Sequence, residues 1–303
     1  MRRIPVGKQL RRDPVERAMR IGVVFPQTEL GGDPAVVRAY GQRVEELGFT
    51  HILAYDHVVG ADPTVHQGWQ GYYDIDSTFH EPFVMFGYLA AVTSVELVTG
   101  VIILPQRQAV LVAKQAAEID LLTSGRFRLG IGLGWNAVEY EALGETFTNR
   151  GRRSEEQVEL MRKLWTERSV TFNGKYHTVT GAGLAPRPIQ RPIPVWFGAA
   201  SDRAYERAGR LSDGWFPMME PGPGLDYASA QVRRAATAAG RDADLLGMEG
   251  RVSWTGDPDK AAADIAAWKA AGATHVSVNT MNAGLATVDD HLGALERVAA
   301  DLG

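Results

Sequence analysis

Short apolar runs alternate with amphipathic stretches along almost the whole chain. The first run covers 21–26. Asp33-Pro34 then supplies an N-cap and a first-turn proline. Val37, Tyr40, Val44 and Leu47 recur at helical spacing until Gly48 ends the segment. A second run spans 50–55 and a third 96–104, with a helix expected at 83–93 between them. Val112, Ala116, Ile119 and Leu122 mark one face of the next helix, and a fourth run follows at 127–132. Ser154 and Gln157 stand at capping-box spacing. That predicts a helix starting at Ser154, with Val158, Met161, Leu164 and Trp165 as its stripe. Further strands are expected at 194–198, at 213–217, near 245–252 and at 274–280. Asp257-Pro258 opens a helix carrying Ala261, Ile265 and Trp268, and a last helix carries Val288, Leu292, Leu295 and Val298. Strict alternation of strand and helix implies a parallel sheet with covering helices. About eight such units favour closure into a (β/α)8 TIM barrel over an open doubly wound sheet.

Two segments break the rhythm. The stretch 59–80 sets Trp69, Tyr72, Tyr73 and Phe79 among glycines and aspartates after the second strand. Long loops in compact domains are usually functional, and active sites of barrels form at the C-terminal ends of strands, so this stretch reads as a substrate lid. The stretch 169–191 holds Asn173-Gly174 between β-prone runs, a hairpin signal, and then a proline-rich tail.

Composition narrows the class further. The 303 residues are 45% apolar and carry a net charge of −4, with no cysteine. Disulfide and thiolate chemistry are excluded, and no basic surplus points to nucleic acid or to a membrane surface. No apolar run nears the ~20 residues that span a bilayer, so the expectation is a cytoplasmic protein. Residues 1–18 hold Arg2, Arg3, Lys8, Arg11, Arg12 and Arg17 against Asp13 and Glu16. They read as a basic extension, and 19–303 as one barrel domain. None of the seven histidines has a metal partner at helical spacing. A nucleophile elbow and a Walker A sequence are likewise missing, and a barrel without its own nucleophile or metal often depends on an organic cofactor.

Four loops just past expected strands carry candidate chemistry. His57, after Asp56, either relays a proton near neutral pH or bonds a backbone carbonyl as an ordinary loop histidine. Gly100, in Thr99-Gly100-Val101, marks a bulge or a close backbone approach. In Gly130-Ile131-Gly132-Leu133-Gly134-Trp135-Asn136 the glycines strip side chains from the strand end, so a flat ring can lie on backbone; the spacing is not a dinucleotide fingerprint. Gly198-Ala199-Ala200-Ser201 opens a helix whose free N–H groups suit an anion. Ser201 adds a hydroxyl there or simply caps the helix. Arg107 pairs with a phosphate or is a solvated loop charge. Trp135, Trp196 and Trp215 read as core or wall.

Taken together, VTGVIILPQRQAVLVAKQAAEIDLLTSGRFRLGIGLGWNAVEYEALG and IPVWFGAASDRAYERAGRLSDGWFP resemble the core of luciferase-like oxidoreductases. The likeness runs over roughly 20–300, and the form GLGWNAVEYEALG is most similar to the coenzyme F420-dependent branch. The resemblance implies an isoalloxazine or deazaflavin ring at the C-terminal mouth. It implies a non-prolyl cis peptide at Gly100-Val101, and a phosphate loop at Gly198, Ala199, Ala200 and Ser201. Asp56 and His57 match the family's Asp-His pair, with His57 as the catalytic candidate. Gly132, Gly134, Trp135 and Asn136 match its glycine-rich cofactor segment. Trp135 stands where the sugar-phosphate dehydrogenase branch has a glutamate acid, and basic residues for a sugar phosphate are not evident. Any acid must therefore come from elsewhere, Glu81 or Glu139 being the candidates.

The implied function is hydride transfer between coenzyme F420 and a small organic substrate. The alternatives are an FMN-dependent monooxygenase and a non-catalytic protein that binds a flavin-type cofactor. The expected assembly is a homodimer.

Overall fold

The computed structural model describes residues 18–300, so the expected extension lies outside the described residues except for Ala18. In chain order the elements are β1 (Arg20–Val24), α1 (Pro34–Glu46), β2 (His51–Ala54), α2 (Pro82–Leu89), β3 (Glu96–Thr99), β4 (Ile102–Ile103), α3 (Ala109–Leu122), β5 (Phe127–Gly132), α4 (Ala137–Ala142), α5 (Arg150–Thr166), β6 (Val170–Asn173), β7 (Thr178–Ala182), β8 (Val195–Ala199), α6 (Asp202–Leu211), β9 (Gly214–Pro217), α7 (Pro223–Ala238), β10 (Gly247–Ser253), α8 (Pro258–Ala270), β11 (His275–Asn279) and α9 (Val288–Ala300). β4 continues β3 beyond Gly100-Val101 and pairs with β5. The sheet runs β3-β2-β1-β11-β10-β9-β8-β5 and closes through β3–β5, every barrel pairing being parallel. This is the expected TIM barrel. β6 and β7 form the expected antiparallel hairpin outside it. Among the described residues no helix is long and apolar enough to cross a membrane.

Local chemistry sets several boundaries. Asp33 Oδ1 accepts from Ala35 N–H at 2.8 Å with Pro34 in the first turn, and Asp257 caps α8 ahead of Pro258 in the same way. The helix expected from Ser154 is corrected: it starts at Arg150, and Ser154 lies buried inside it. The Ser154 hydroxyl donates to Gly151 O at 2.8 Å, and Gln157 donates to Arg107 O at 2.9 Å. Side-chain contacts to the preceding loop and to Pro105 draw the polar residues before it into the helix. The Arg150 guanidinium lies 3.7 Å from the Phe147 ring centroid, and Arg153 bonds Glu145 and Pro105 O.

Strand alternation divides the core. On β5, Phe127, Leu129 and Ile131 join the large cluster beneath the helices. Between them, Arg128, Gly130 and Gly132 face the lumen, against Trp196, Phe216 and Val101. The lumen holds a small apolar cluster of Val24, Leu53, Val98, Trp196, Phe216 and Met281. Below it lies a charged floor. Arg128 reaches Glu249 at 2.6 Å and Glu96 at 3.2 Å, and the latter also meets Arg20 at 3.2 Å. His51 Nε2 stands 3.0 Å from Glu249, and the Ser277 hydroxyl donates to the same carboxylate at 2.6 Å. Burial alone would raise Glu249, yet Arg128 and His51 outweigh it and hold the carboxyl well below its usual range. His275, edge-on to Trp196 at 5.1 Å, is pushed far down by burial and then by Arg128.

These two shifts make the barrel acid-sensitive. An unfolded His275 gains a proton as pH falls through 6.5, while the folded barrel refuses it. Stability is therefore complete above that pH and declines below it; the depressed Glu249 adds a second decline beneath 4.5. One refused proton removes roughly 1 kcal/mol between pH 6.5 and 5.5. Urea titrations at both pH values should show His275→Gln losing less stability across this window than the wild type, by about that amount. Equal losses would refute the assignment.

Candidate active site

Gly100, Gly132 and Gly198 come from β3 and the adjoining strands β5 and β8, and together they leave one side of the mouth without side chains. A Cβ on Gly130 would lie 1.8 Å from Thr99 O, and one on Gly132 would lie 2.5 Å from Val101 Cγ2. The Thr99 hydroxyl fixes this approach: it donates to Gly130 O at 2.7 Å and accepts from Gly130 N–H at 2.9 Å. The Gly100–Val101 peptide is cis. Val101 covers the wall, 3.6 Å from where a Gly198 Cβ would stand. Gly134 takes the left-handed φ of +69°, which glycine adopts freely.

α6 begins at the end of the same wall. Ser201 is extended and its side chain makes no cap bond. Among the described residues nothing accepts from the N–H groups of Asp202 and Arg203, so the helix start is open. Ala200 and Ser201 are exposed there, whereas Ala199 turns into the core and offers only backbone. Asn136 has a second task beyond the one expected, since its Oδ1 caps α4 by accepting from Val138 at 3.0 Å and Glu139 at 3.3 Å. Its buried Nδ2 has no partner.

His57 lies at the mouth with its side chain 6% exposed. Its Nδ1 is 3.1 Å from Glu139 Oε1, which also accepts from Val58 N–H at 2.5 Å; Glu139 Oε2 accepts from Gln106 at 2.8 Å. Burial would raise Glu139, but these donors, His57 foremost, hold its carboxyl below the usual range. An ionised Glu139 fixes the proton on Nδ1 and leaves the lone pair on Nε2, which is buried and has no partner. Glu139 is therefore a fixed acceptor, which corrects its reading as a general acid. Glu81 is corrected too: it caps α2 through Val84 N–H at 2.8 Å and meets Arg107 at 3.2 Å.

Asp56 was expected to touch cofactor, yet both its oxygens are taken. Oδ1 pairs with Arg107 at 2.7 Å, and Oδ2 accepts from Ile103 N–H at 3.1 Å. Burial pushes the carboxyl up against that pairing. Asp56 thus positions the strand beyond Val101, and Arg107 is neither a phosphate ligand nor a solvated charge. Trp196 and Trp215 are core, whereas Trp135 is 42% exposed at the rim.

The stretch 59–80 folds over the other side. Tyr73 and Phe79 pack on His57 at 5.7 and 5.2 Å between ring centroids. Trp69 and Tyr72 pack on Trp135 at 5.7 and 5.6 Å. Sequence reasoning missed Tyr55 and Arg251, which face each other across the lumen at 3.0 Å. The signal was a charge at alternate positions, Glu249 and Arg251, within an otherwise apolar strand. Grooves of about 800 and 500 Å³ lie outside the barrel beside α5 and the hairpin, away from the His57 mouth. Among the described residues no group of His, Asp and Glu could hold a metal ion.

The family model described as luciferase-like monooxygenase matches residues 19–300. An uncharacterized protein of Mycobacterium tuberculosis is 36% identical over 164 residues, 54% of this chain and 56% of that protein. The FMNH2-dependent dimethylsulfone monooxygenase of Pseudomonas putida is 31% identical over 172 residues, 55% of this chain and 47% of that protein. The match thus spans about half the length of these curated relatives. Among solved structures, an F420-dependent secondary alcohol dehydrogenase in complex with an F420–acetone adduct superposes with a TM-score of 0.75 at 19% identity, over 92% of this chain and 99% of that chain.

Arg107 gives a direct test of the positioning role. Arg107→Met leaves Asp56 buried without its cation and should cost about 3 kcal/mol, read from denaturant midpoints. Adding Asp56→Asn should recover part of the loss. No loss in the single variant would show that the pair is incidental.

Proposed function

The chain belongs to the luciferase-like monooxygenase family, and we propose that it is a coenzyme F420-dependent oxidoreductase moving a hydride between the deazaflavin and a small organic substrate. The mouth suits such a cofactor. The bare wall at Gly132 and Gly198 leaves room for a flat ring over Val101. The open start of α6 offers N–H groups to a phosphate, and Asn136 Nδ2 is a buried donor without a partner. Coenzyme F420 supplies, when bound, two-electron hydride chemistry at its C5.

The single observation that carries this reading is His57. Moving a hydride to a carbonyl, or from an alcohol, requires a proton at the substrate oxygen. His57 Nε2 is the buried, unpartnered atom at the mouth that can take or give it. Glu139 keeps the ring oriented and steadies the charge on imidazolium. Tyr73 and Phe79 exclude water from the same side. A cofactor-binding protein without catalysis has no use for a histidine held in this way. An FMN-dependent monooxygenase is the second reading, favoured by the likeness to the Pseudomonas enzyme.

Two measurements separate these readings. Fluorescence titration should give coenzyme F420 at least tenfold tighter than FMN, a margin of about 1.4 kcal/mol; equal or reversed affinities move the assignment to the monooxygenase. For whichever small alcohol reduces F420 fastest, His57→Ala should slow turnover by ~100-fold while cofactor affinity stays within a few-fold. A wild-type rate would remove His57 from the mechanism.

A further inference from the structure

Opposite the glycine wall, the mouth presents donors that no acceptor meets. Residues of β10 alternate between lumen and helices. Glu249 joins the floor, Gly250 abuts Trp268 of α8, and Arg251 returns to the lumen one layer above Glu249. Arg251 is exposed although it lies inside the barrel, so the lumen is open at this level. Its Nη1 donates to the Tyr55 hydroxyl at 3.0 Å, and its carbonyl accepts from Trp268. Among the described residues no carboxylate pairs with it. The nearby acids are committed elsewhere: Glu249 to Arg128, His51 and Ser277, Asp56 to Arg107, and Glu139 to His57 and Gln106.

The Tyr55 oxygen accepts from Arg251, and its own proton has no acceptor among the described residues. Burial keeps that phenol in its neutral, donating form. Tyr73, part of the lid and against His57, is near enough to feel the Arg251 charge. A guanidinium fork and a phenol O–H therefore converge on one side of the mouth with only donors to offer. Guanidinium binds an oxyanion through paired hydrogen bonds, and apolar rings from the lid line the approach.

We propose that Arg251, with Tyr55, is the substrate-anchoring site, and that the substrate is an apolar molecule bearing one anionic oxygen group, a carboxylate or a sulfonate. This deepens the proposed function and rests on substrate entering at the His57 mouth. Arg251 acts on binding and specificity, whereas His57 acts on the proton.

The test uses 3-phenylpropionate, its neutral isostere 3-phenylpropionamide, and 2-phenylethanesulfonate. Each is titrated into the full chain, with and without F420 or FMN, by calorimetry. The acid should bind wild type at least tenfold tighter than the amide. Arg251→Met should erase that preference by weakening the acid alone, and Arg251→Lys, which keeps the charge but loses the fork, should retain part of it. Comparable binding of the sulfonate upholds a general oxyanion site, and weaker binding upholds a carboxylate site. Equal binding of acid and amide to wild type, no binding of either anion, or an undiminished preference in Arg251→Met overturns the proposal. So does a tenfold loss of cofactor affinity in that variant, which would assign Arg251 to the cofactor. If neither cofactor binds wild type, the hydride reading fails while the acid–amide comparison still decides this one.

Discussion

The mouth depends on one short tie, the Thr99 hydroxyl that both donates to and accepts from the backbone of Gly130. It draws β3 and β5 so close that no side chain fits between them, and the chain beyond Thr99 must then turn aside at Gly100-Val101 before β4 resumes the pairing. Val101 is thereby set over Gly132 and beside Gly198. Asp56 completes the arrangement by accepting from Ile103 N–H on the far side of the turn. A buried carboxylate is costly without a partner, and Arg107 fills that role. What looks like a ring platform is thus a consequence of backbone contacts beneath it.

Charge is sorted by depth. The floor gathers Arg20, His51, Glu96, Arg128 and Glu249 into a layer where each carboxylate meets a cation or a histidine. Above it the apolar cluster of Leu53, Val98, Trp196 and Phe216 separates floor from mouth. At the top the carboxylates are again committed, and the groups left over are donors or a lone pair: Arg251, Tyr55, Asn136 Nδ2 and His57 Nε2. A mouth with this balance receives acceptors, whether a phosphate, a carbonyl oxygen or an anion, and repels little that is negative.

The barrel was legible because its evidence is local. Each strand is an apolar run with a turn signal after it, and each helix carries its own cap, as Asp33-Pro34 and Asp257-Pro258 do. The glycines and His57 were legible because they fall just after strands. The start of α5 was not, since Arg150 and Arg153 are drawn into the helix by Phe147, Glu145 and Pro105, and spacing alone does not encode those contacts. Glu139 was noticed as an acid, but the Val58 N–H that it accepts from lies 81 positions away and makes it a fixed base partner instead. Arg251 was overlooked because its meaning comes from Tyr55, 196 positions earlier. Function at this mouth is written in pairings between distant strands, whereas fold is written within each unit.

The floor has a consequence for how the molecule is made. His51 and the Glu249 that it bonds are 198 positions apart, and β1 finds its second neighbour only in β11, through Arg20 with His275. During synthesis the ribosome therefore releases a half-built sheet with an open edge on β1 and with His51 still lacking the Glu249 and Ser277 groups it bonds. Such a chain cannot settle its lumen until nearly all of it has emerged. Long-range closure of this kind folds slowly and leaves edges exposed to other chains.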